Sequence, residues 1–341
     1  MNNIYTLAES GTNKSGQKHL IVNGNGSDLN NNKALKGRAK RKIITQSLML
    51  RLIDIAKEDG EPELEKAFWN TYYCQQNIIT ADGKLYGNYC KNRFCTICCS
   101  IRKADIINRY LPTIQKWEDP HFVTITVKSC KEHQLEAYIK SLKGTFKKII
   151  NKYKKQDQRG KGKKLIGIKS LESNFNPERR TYNPHFHIIV ANREMADIIV
   201  AEWYSRSKKG YVSLKAQKTE KIWNLENALV EIIKYGSKIF TEPDLKKRAK
   251  ETTTTQVYAK ALYNIFKAIK GARIFDRFGF DLPERNIEKP QVKLLSHFEE
   301  WEYNIDTTDW VNVYTTEVLT GYKIPSPLIA LLTNNINDSI D

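Results

Sequence analysis

Two histidines stand two residues apart in the run TYNPHFHIIVAN, residues 181–192, which otherwise reads as a buried strand. Strand side chains alternate faces, so His185, His187 and Ile189 share one side and Phe186, Ile188 and Val190 the other. The apolar side reads as core. Two imidazoles side by side on the opposite face need a partner, and a metal ion is one candidate; an incidental polar pair is the other. Neighbouring segments offer polar groups in matching phase, Thr124 and Thr126 in HFVTITVKS and Ser170 and Glu172 in LIGIKSLES. Glu172 is the candidate third ligand, a harder donor beside two imidazoles. Two His and one carboxylate on a rigid sheet leave positions open to water or a phosphate oxygen.

A second group lies in ALVEIIKYGSKIF, where Glu231 and Tyr235 are four apart and fall on one helix face, with Lys234 and Lys238 beside them. Tyrosine is a feeble nucleophile at its free pKa near 10, but a lysine and a metal-bound phosphate make its phenolate accessible. Glu231 is a candidate general base toward a second nucleophile such as water. The alternative is that Tyr235 packs while Glu231 and the lysines are solvated.

Five of the six cysteines fall between residues 70 and 100, with Cys74-x15-Cys90-x4-Cys95-x2-Cys98 as the ordered set. Four thiolates with a Cys-x2-Cys knuckle meet the tetrahedral demand of a structural zinc ion. Cys99 is an alternative to Cys98, and Cys130 reads as a core cysteine.

These groups need elements to hold them. The spacing predicts a helix from Lys42 through KIITQSLMLRLIDIAKE and another through CCSIRKADIINRYLPTIQKW, with Pro112 as a break or kink. It then predicts a strand at HFVTITVKS, an amphipathic helix from Leu135 to Tyr153, the strands LIGIKSLES and TYNPHFHIIV, and the helix REMADIIVAEWYSRS. A strand YVSLKAQ and a helix IWNLENALVEIIKYGSKIF follow. The order β-α-β-β-α-β-α gives an α+β class, a ferredoxin- or RNA-recognition-like antiparallel sheet with helices, preceded by a small Cys-cluster zinc module. Organisation along the chain follows as a flexible basic arm over 1–41, a helical zinc-binding region over 42–118, a catalytic sheet domain over 119–242, a basic helical extension over 243–298 and an acidic tail over 299–341.

The net charge of +18 is uneven, because the stretch from Glu299 onward carries −7 and leaves +25 for the first 298 residues. That excess favours a polyanion, with nucleic acid the first choice. No run of 18 apolar residues is present, so a membrane span is excluded, and the N-terminus lacks a basic n-region followed by an apolar stretch, which points to the cytoplasm.

The strand FVTITV, the His-hydrophobic-His strand and the helix EIIKYGSK resemble, in that order, the three motifs of HUH endonucleases. More closely, the chain resembles the rolling-circle replication initiators of small plasmids, in the branch with one catalytic tyrosine and a glutamate four residues before it. CKNRFCTICCSIRKADI is similar to that branch's C-x-x-R-x-C-P-x-C cluster through Cys90, Arg93, Cys95 and Cys98, with Thr96 where proline is usual. The resemblance spans roughly residues 70–240. It implies an HUH endonuclease fold over 119–242 and a divalent ion, Mg2+ or Mn2+, held by His185 and His187. It further implies attack by Tyr235 on origin DNA, single-stranded or cruciform, to give a 5′-phosphotyrosine and a free 3′-OH. Glu231 would activate water to end the cycle and Lys238 would stabilise charge; Thr124 and Thr126 would line the site. With no Gly-x4-Gly-Lys-[Ser/Thr] loop, a host helicase would unwind the duplex and a host DNA polymerase would extend the 3′-OH. Other readings are an HUH transposase or relaxase, a non-catalytic zinc-containing DNA-binding regulator, and a metallohydrolase without a covalent step.

Overall fold

A computed structural model describes residues 7–12, 18–23, 26–208, 210–233, 259–284 and 292–333. The chain divides into two units, one of residues 1–101, 240–257 and 285–337 and one of 102–239, 258–284 and 338–341.

The first unit opens with strands β1 (Leu7–Thr12), β2 (Lys18–Asn23) and β3 (Ser27–Asp28), then helices α1 (Asn32–Glu58) and α2 (Pro62–Tyr72), and the hairpin β4 (Asn77–Ala81) and β5 (Lys84–Gly87). α1 begins ten residues before the expected Lys42, within the stretch read as a flexible arm. The Asn-rich composition hides a cap: the Asn31 side chain accepts from the Ala34 N–H, and Leu35 and Ala39 bury one turn apart. Helix α3 (Thr96–Ile114) starts in this unit, ends in the second, and runs two residues past Pro112.

The second unit follows as β6 (His121–Thr126), α4 (Leu135–Gln158), β7 (Gly167–Asn176), β8 (Thr181–Val190), α5 (Arg193–Arg206), β9 (Lys218–Lys221), α6 (Leu225–Ile233), α7 (Ala259–Ala268) and β10 (Phe275–Phe278). Its sheet has the order β10-β7-β8-β6-β9, with every neighbouring pair antiparallel. Two β-α-β crossovers therefore interleave, since β6 and β7 flank β8 while β8 and β9 flank β6. The fold class is α+β with antiparallel sheets.

Two expectations are corrected here. The strand expected over YVSLKAQ lies just after it, at Lys218–Lys221. Sequence patterning missed it because KTEK has no apolar residue, a composition that suits an exposed edge. Within the stretch expected as a basic helical extension over 243–298, the described residues form a helix over Ala259–Ala268 and then strands over Phe275–Phe278 and Val292–Leu295. β10 closes against β7 over Gly167, where a Cβ would sit 2.6 Å from the Phe278 ring and 2.5 Å from the Ile189 carbonyl oxygen. Only glycine admits this approach.

The sheet is buried on both faces. On one, Phe186 meets Phe146 of α4 at 5.2 Å between ring centroids, and the Trp203 indole of α5 donates to the Thr126 carbonyl at 3.2 Å. On the other, Ile168 and Ile189 pack with Leu229 and Ile232 of α6 and with Tyr110 and Ile114 of α3.

The chain then returns to the first unit with β11 (Val292–Leu295), β12 (Glu299–Asn304), β13 (Asp309–Asn312) and α8 (Ser326–Thr333). β12 pairs with β4 in a sheet of order β13-β12-β4-β5-β3. The stretch read only as an acidic tail thus contributes alternating strands, Trp301 and Tyr303 pointing into the core and Glu300 and Glu302 away from it. The Trp310 indole donates to the Gln75 carbonyl at 2.8 Å, and the buried Asp309 carboxylate accepts from the Thr320 N–H and hydroxyl. Among the described residues no helix is long and apolar enough to cross a membrane.

Candidate metal centres

Register assembles the first centre. Glu172 of β7 lies opposite His185 of β8, and His185 lies opposite Thr126 of β6. The next row on the same face reads Ser170, His187, Thr124 and Lys218. Directly opposed residues share a face, so the pairing fixes all three candidate ligands on the side that Ile168 and Ile189 continue beneath α6.

The donor atoms of Glu172, His185 and His187 lie within 4.8 Å of one another. His185 Nε2 is 2.9 Å and His187 Nε2 3.2 Å from the same oxygen, Glu172 Oε2. The other nitrogens are tied down: His185 Nδ1 is 2.9 Å from the Asn183 carbonyl oxygen, and His187 Nδ1 is 3.0 Å from Thr124 Oγ1. A carbonyl only accepts, so His185 Nδ1 carries the hydrogen, which leaves Nε2 of the neutral ring available as a metal donor on the carboxylate side. A cation among the three donors would take the Nε2 lone pairs and the carboxylate charge together. Outer hydrogen bonds of this kind hold imidazoles in metal sites. Adjacent donors of an octahedral ion with 2.0–2.1 Å bonds stand about 3.0 Å apart, close to the two distances observed. The Glu172 carboxylate is fully buried and His185 nearly so, while His187 keeps 15% of its side chain exposed, so the open side of the centre lies over His187.

Glu231 is half-buried in the last turn of α6, the helix laid on this same face. Tyr235 and Lys238 lie outside the described residues. Sequence reading missed three supporting residues. Asn183 supplies the carbonyl under His185; its signal was its place two residues earlier on the same face. The Gln217 amide accepts from the Thr126 N–H at 2.8 Å and extends the β9 ladder by one step. Lys218, exposed, ends the His187 row at the sheet edge.

The second centre lies in the first unit. The sulfurs of Cys74, Cys90, Cys95 and Cys98 all lie within 4.8 Å of one another. Cys98 Sγ is 3.7 Å from both Cys74 Sγ and Cys90 Sγ. Four sulfurs at about 2.3 Å from a tetrahedral ion are about 3.8 Å apart, so the donor set fits zinc. The backbone N–H groups of Cys90, Asn92 and Cys98 each donate to a cluster sulfur at 3.4 Å. Cys99 is not in the set, because its thiol turns 3.0 Å from the Arg93 carbonyl oxygen.

Crowding splits the thiols electrostatically. Hydrogen bonds from Cys74, Cys95 and Cys98 hold Cys90 far below its ordinary value, burial lifts Cys95 well above its own, and the hydrogen bond with Cys90 raises Cys74. Fully buried Lys42 stands beside the cluster, donating to the carbonyls of Tyr72 at 2.8 Å and Cys74 at 2.9 Å. Burial lowers its pKa to about 8, against the opposing pull of Cys74, Cys95 and Cys90.

The family model described as Rep_1, replication protein, matches residues 84–280, more than half of the chain. That span includes the Glu172 centre, Glu231, Tyr235 and three of the four clustered cysteines. The chain is similar to three curated proteins each named Protein rep. The one from Staphylococcus aureus is 33% identical over 139 residues, 38% of this chain and 54% of the relative. The one from Streptococcus pneumoniae is 29% identical over 178 residues, 49% and 51% of the two chains. The one from a Bacillus species is 31% identical over 136 residues, 37% and 43%. The matched stretches therefore span about half the length of these relatives. No solved structure matches the chain. With both ligand clusters built and the family model covering most of the second unit, the chain belongs to the Rep_1 family of replication proteins.

Proposed function

We propose that the protein is a plasmid rolling-circle replication initiator of the HUH type, which nicks and rejoins origin DNA through a covalent phosphotyrosine. The observation that carries this reading is the convergence of His185 Nε2 and His187 Nε2 on Glu172 Oε2, on the sheet face that also receives α6 with Glu231. The interleaved crossovers and the strand order support an HUH-type sandwich.

In this reading His185, His187 and Glu172 hold Mg2+ or Mn2+, which supplies Lewis-acid polarisation of the scissile phosphate. Asn183 and Thr124 fix the two rings. Tyr235 Oη attacks phosphorus, the P–O3′ bond breaks, and the leaving oxygen takes up a proton as the 3′-OH from which a host polymerase extends. The 5′-phosphate stays on Tyr235. Lys238 offsets charge on the phenolate and phosphate. At the end of the round Glu231 takes a proton from water, which opens the tyrosyl ester and so distinguishes termination from strand transfer. The four thiolates hold a structural zinc ion. Partners follow from the chemistry: a single-stranded or cruciform origin, a host helicase to unwind it and the cytoplasmic replication machinery.

The test incubates labelled single-stranded DNA from the cognate origin with Mn2+ and either wild type or Tyr235→Phe. An adduct surviving SDS in wild type only is expected. Cleavage without an adduct would replace this reading by a plain metallohydrolase, and binding without cleavage by a zinc-containing regulator.

A further inference from the structure

Apart from the Glu172 centre, a cleft of about 600 Å3 opens between α4 and the β10 edge of the second unit. Ile150 and Phe278 line its apolar part, and Lys154, Lys164, Arg273 and Arg277 bring positive charge to its walls. Register puts it at the β10 edge and takes lining residues from both phases, Arg277 lying opposite Ile168 in the phase of Glu172. Asp276 lies opposite Lys169 and Phe278 opposite Gly167, both out of phase with Ser170 and Glu172.

Positive charge here exceeds what the protein itself balances. Arg273 pairs with Asp276 at 3.2 Å and Arg277 with Asp281 at 3.7 Å. Among the described residues neither Lys154 nor Lys164 has an ion-pair partner. Beneath them the Lys169 ammonium sits 5.1 Å from the Phe186 ring centroid. Burial holds it below its ordinary value; Asp276 opposes that, while Lys143 and Arg273 add like-charge repulsion. Along α4 and the loop after it, residues 147 to 164 expose eight cations and one carboxylate, Asp157.

The aromatic rings of this region are committed elsewhere. Phe278 packs on Phe146 at 5.6 Å and Phe280 on Trp117 at 5.5 Å. Grooves for single strands combine charge with rings offered to bases. A charged groove that offers none reads backbone phosphates without reading bases. We propose that this cleft and the adjoining stretch of α4 hold the phosphate backbone of duplex DNA. A duplex held there leaves the Glu172 centre free for the single strand to be cut. The inference rests on the reading of the protein as acting on origin DNA.

The experiment compares full-length wild type with Lys154→Ala/Lys164→Ala. Both lysines are exposed, and far-UV circular dichroism checks the fold. Anisotropy over a salt series measures affinity for an origin duplex and for a short single-stranded origin oligonucleotide, and SDS gels measure the adduct on the latter. The expected result is duplex affinity about tenfold lower and a log K against log salt slope shallower by about 1.8, at about 0.9 for each phosphate no longer neutralised. Single-strand affinity and adduct yield stay unchanged. Duplex affinity and slope equal to wild type would overturn the inference, as would an equal fall in affinity for the single strand. Absence of an adduct with wild type would overturn the catalytic reading instead, and the duplex titration would still decide this one.

Discussion

The thiol cluster of the first unit and the Glu172–His185–His187 centre of the second differ in how many coordination positions they leave open. Four sulfurs within 4.8 Å of one another make up the first site and would fill the tetrahedron of a zinc ion, with backbone N–H groups donating to them. Such a closed site holds chain segments together and admits nothing else. The second offers three donors from two adjacent strands, all on one side, with the exposed edge of His187 marking where a further oxygen enters. The origin of the rigidity differs too. Cys74, Cys90, Cys95 and Cys98 come from loops and a helix start, whereas the sheet register by itself aligns Glu172 with His185.

That contrast can be broken in four places, in falling order of effect. Cys95→Ser removes a fully buried ligand of the closed site. On the proposed reading a structural zinc ion contributes on the order of 10 kcal/mol to folding, so zinc content is expected to fall to near zero and the first unit to lose its cooperative thermal transition. Atomic absorption and calorimetry check both, and a variant that keeps its zinc would reassign the ligand set. Glu172→Gln acts only on the open site. Nicking falls about a hundredfold or more, from roughly 3 kcal/mol of lost stabilisation, while zinc content and the thermal transition of the first unit stay put. Thr124→Val leaves every ligand and frees only His187 Nδ1. The Mn2+ concentration for half-maximal nicking rises about tenfold, with the maximal rate nearly unchanged; a lower maximal rate alone would give Thr124 a different role. Cys99→Ser is the smallest. Its thiol faces the Arg93 carbonyl, so zinc stoichiometry holds at one and stability shifts by less than about 1 kcal/mol.

The sequence exposed these two centres to different degrees. Alternation in TYNPHFHIIV and LIGIKSLES was enough to put Glu172, His185 and His187 in one phase, because strand periodicity is local. The cysteine spacing likewise named the four clustered sulfurs, though only the packing of Cys99 against Arg93 removed the alternative. Helix α4 was legible from its apolar stripe. The return of Glu299–Asn304 to pair with β4 was not, since partners more than 200 residues apart leave no periodic trace and the glutamates drew attention to charge instead of to Trp301 and Tyr303. Strand β9 was hidden for the opposite reason, as an edge of Lys, Thr and Glu carries no apolar signal.

The first unit is discontinuous in the chain, and ribosomal synthesis is directional. Cys98 leaves the ribosome long before Glu299–Asn312, the strands that complete the sheet built on β4. At 5–20 residues per second that interval is roughly 10–40 s. Residues 102–284 emerge within it and have a sheet of their own to close. The second unit is therefore expected to mature first, with the nascent thiols waiting beside an unfinished sheet until the last strands arrive.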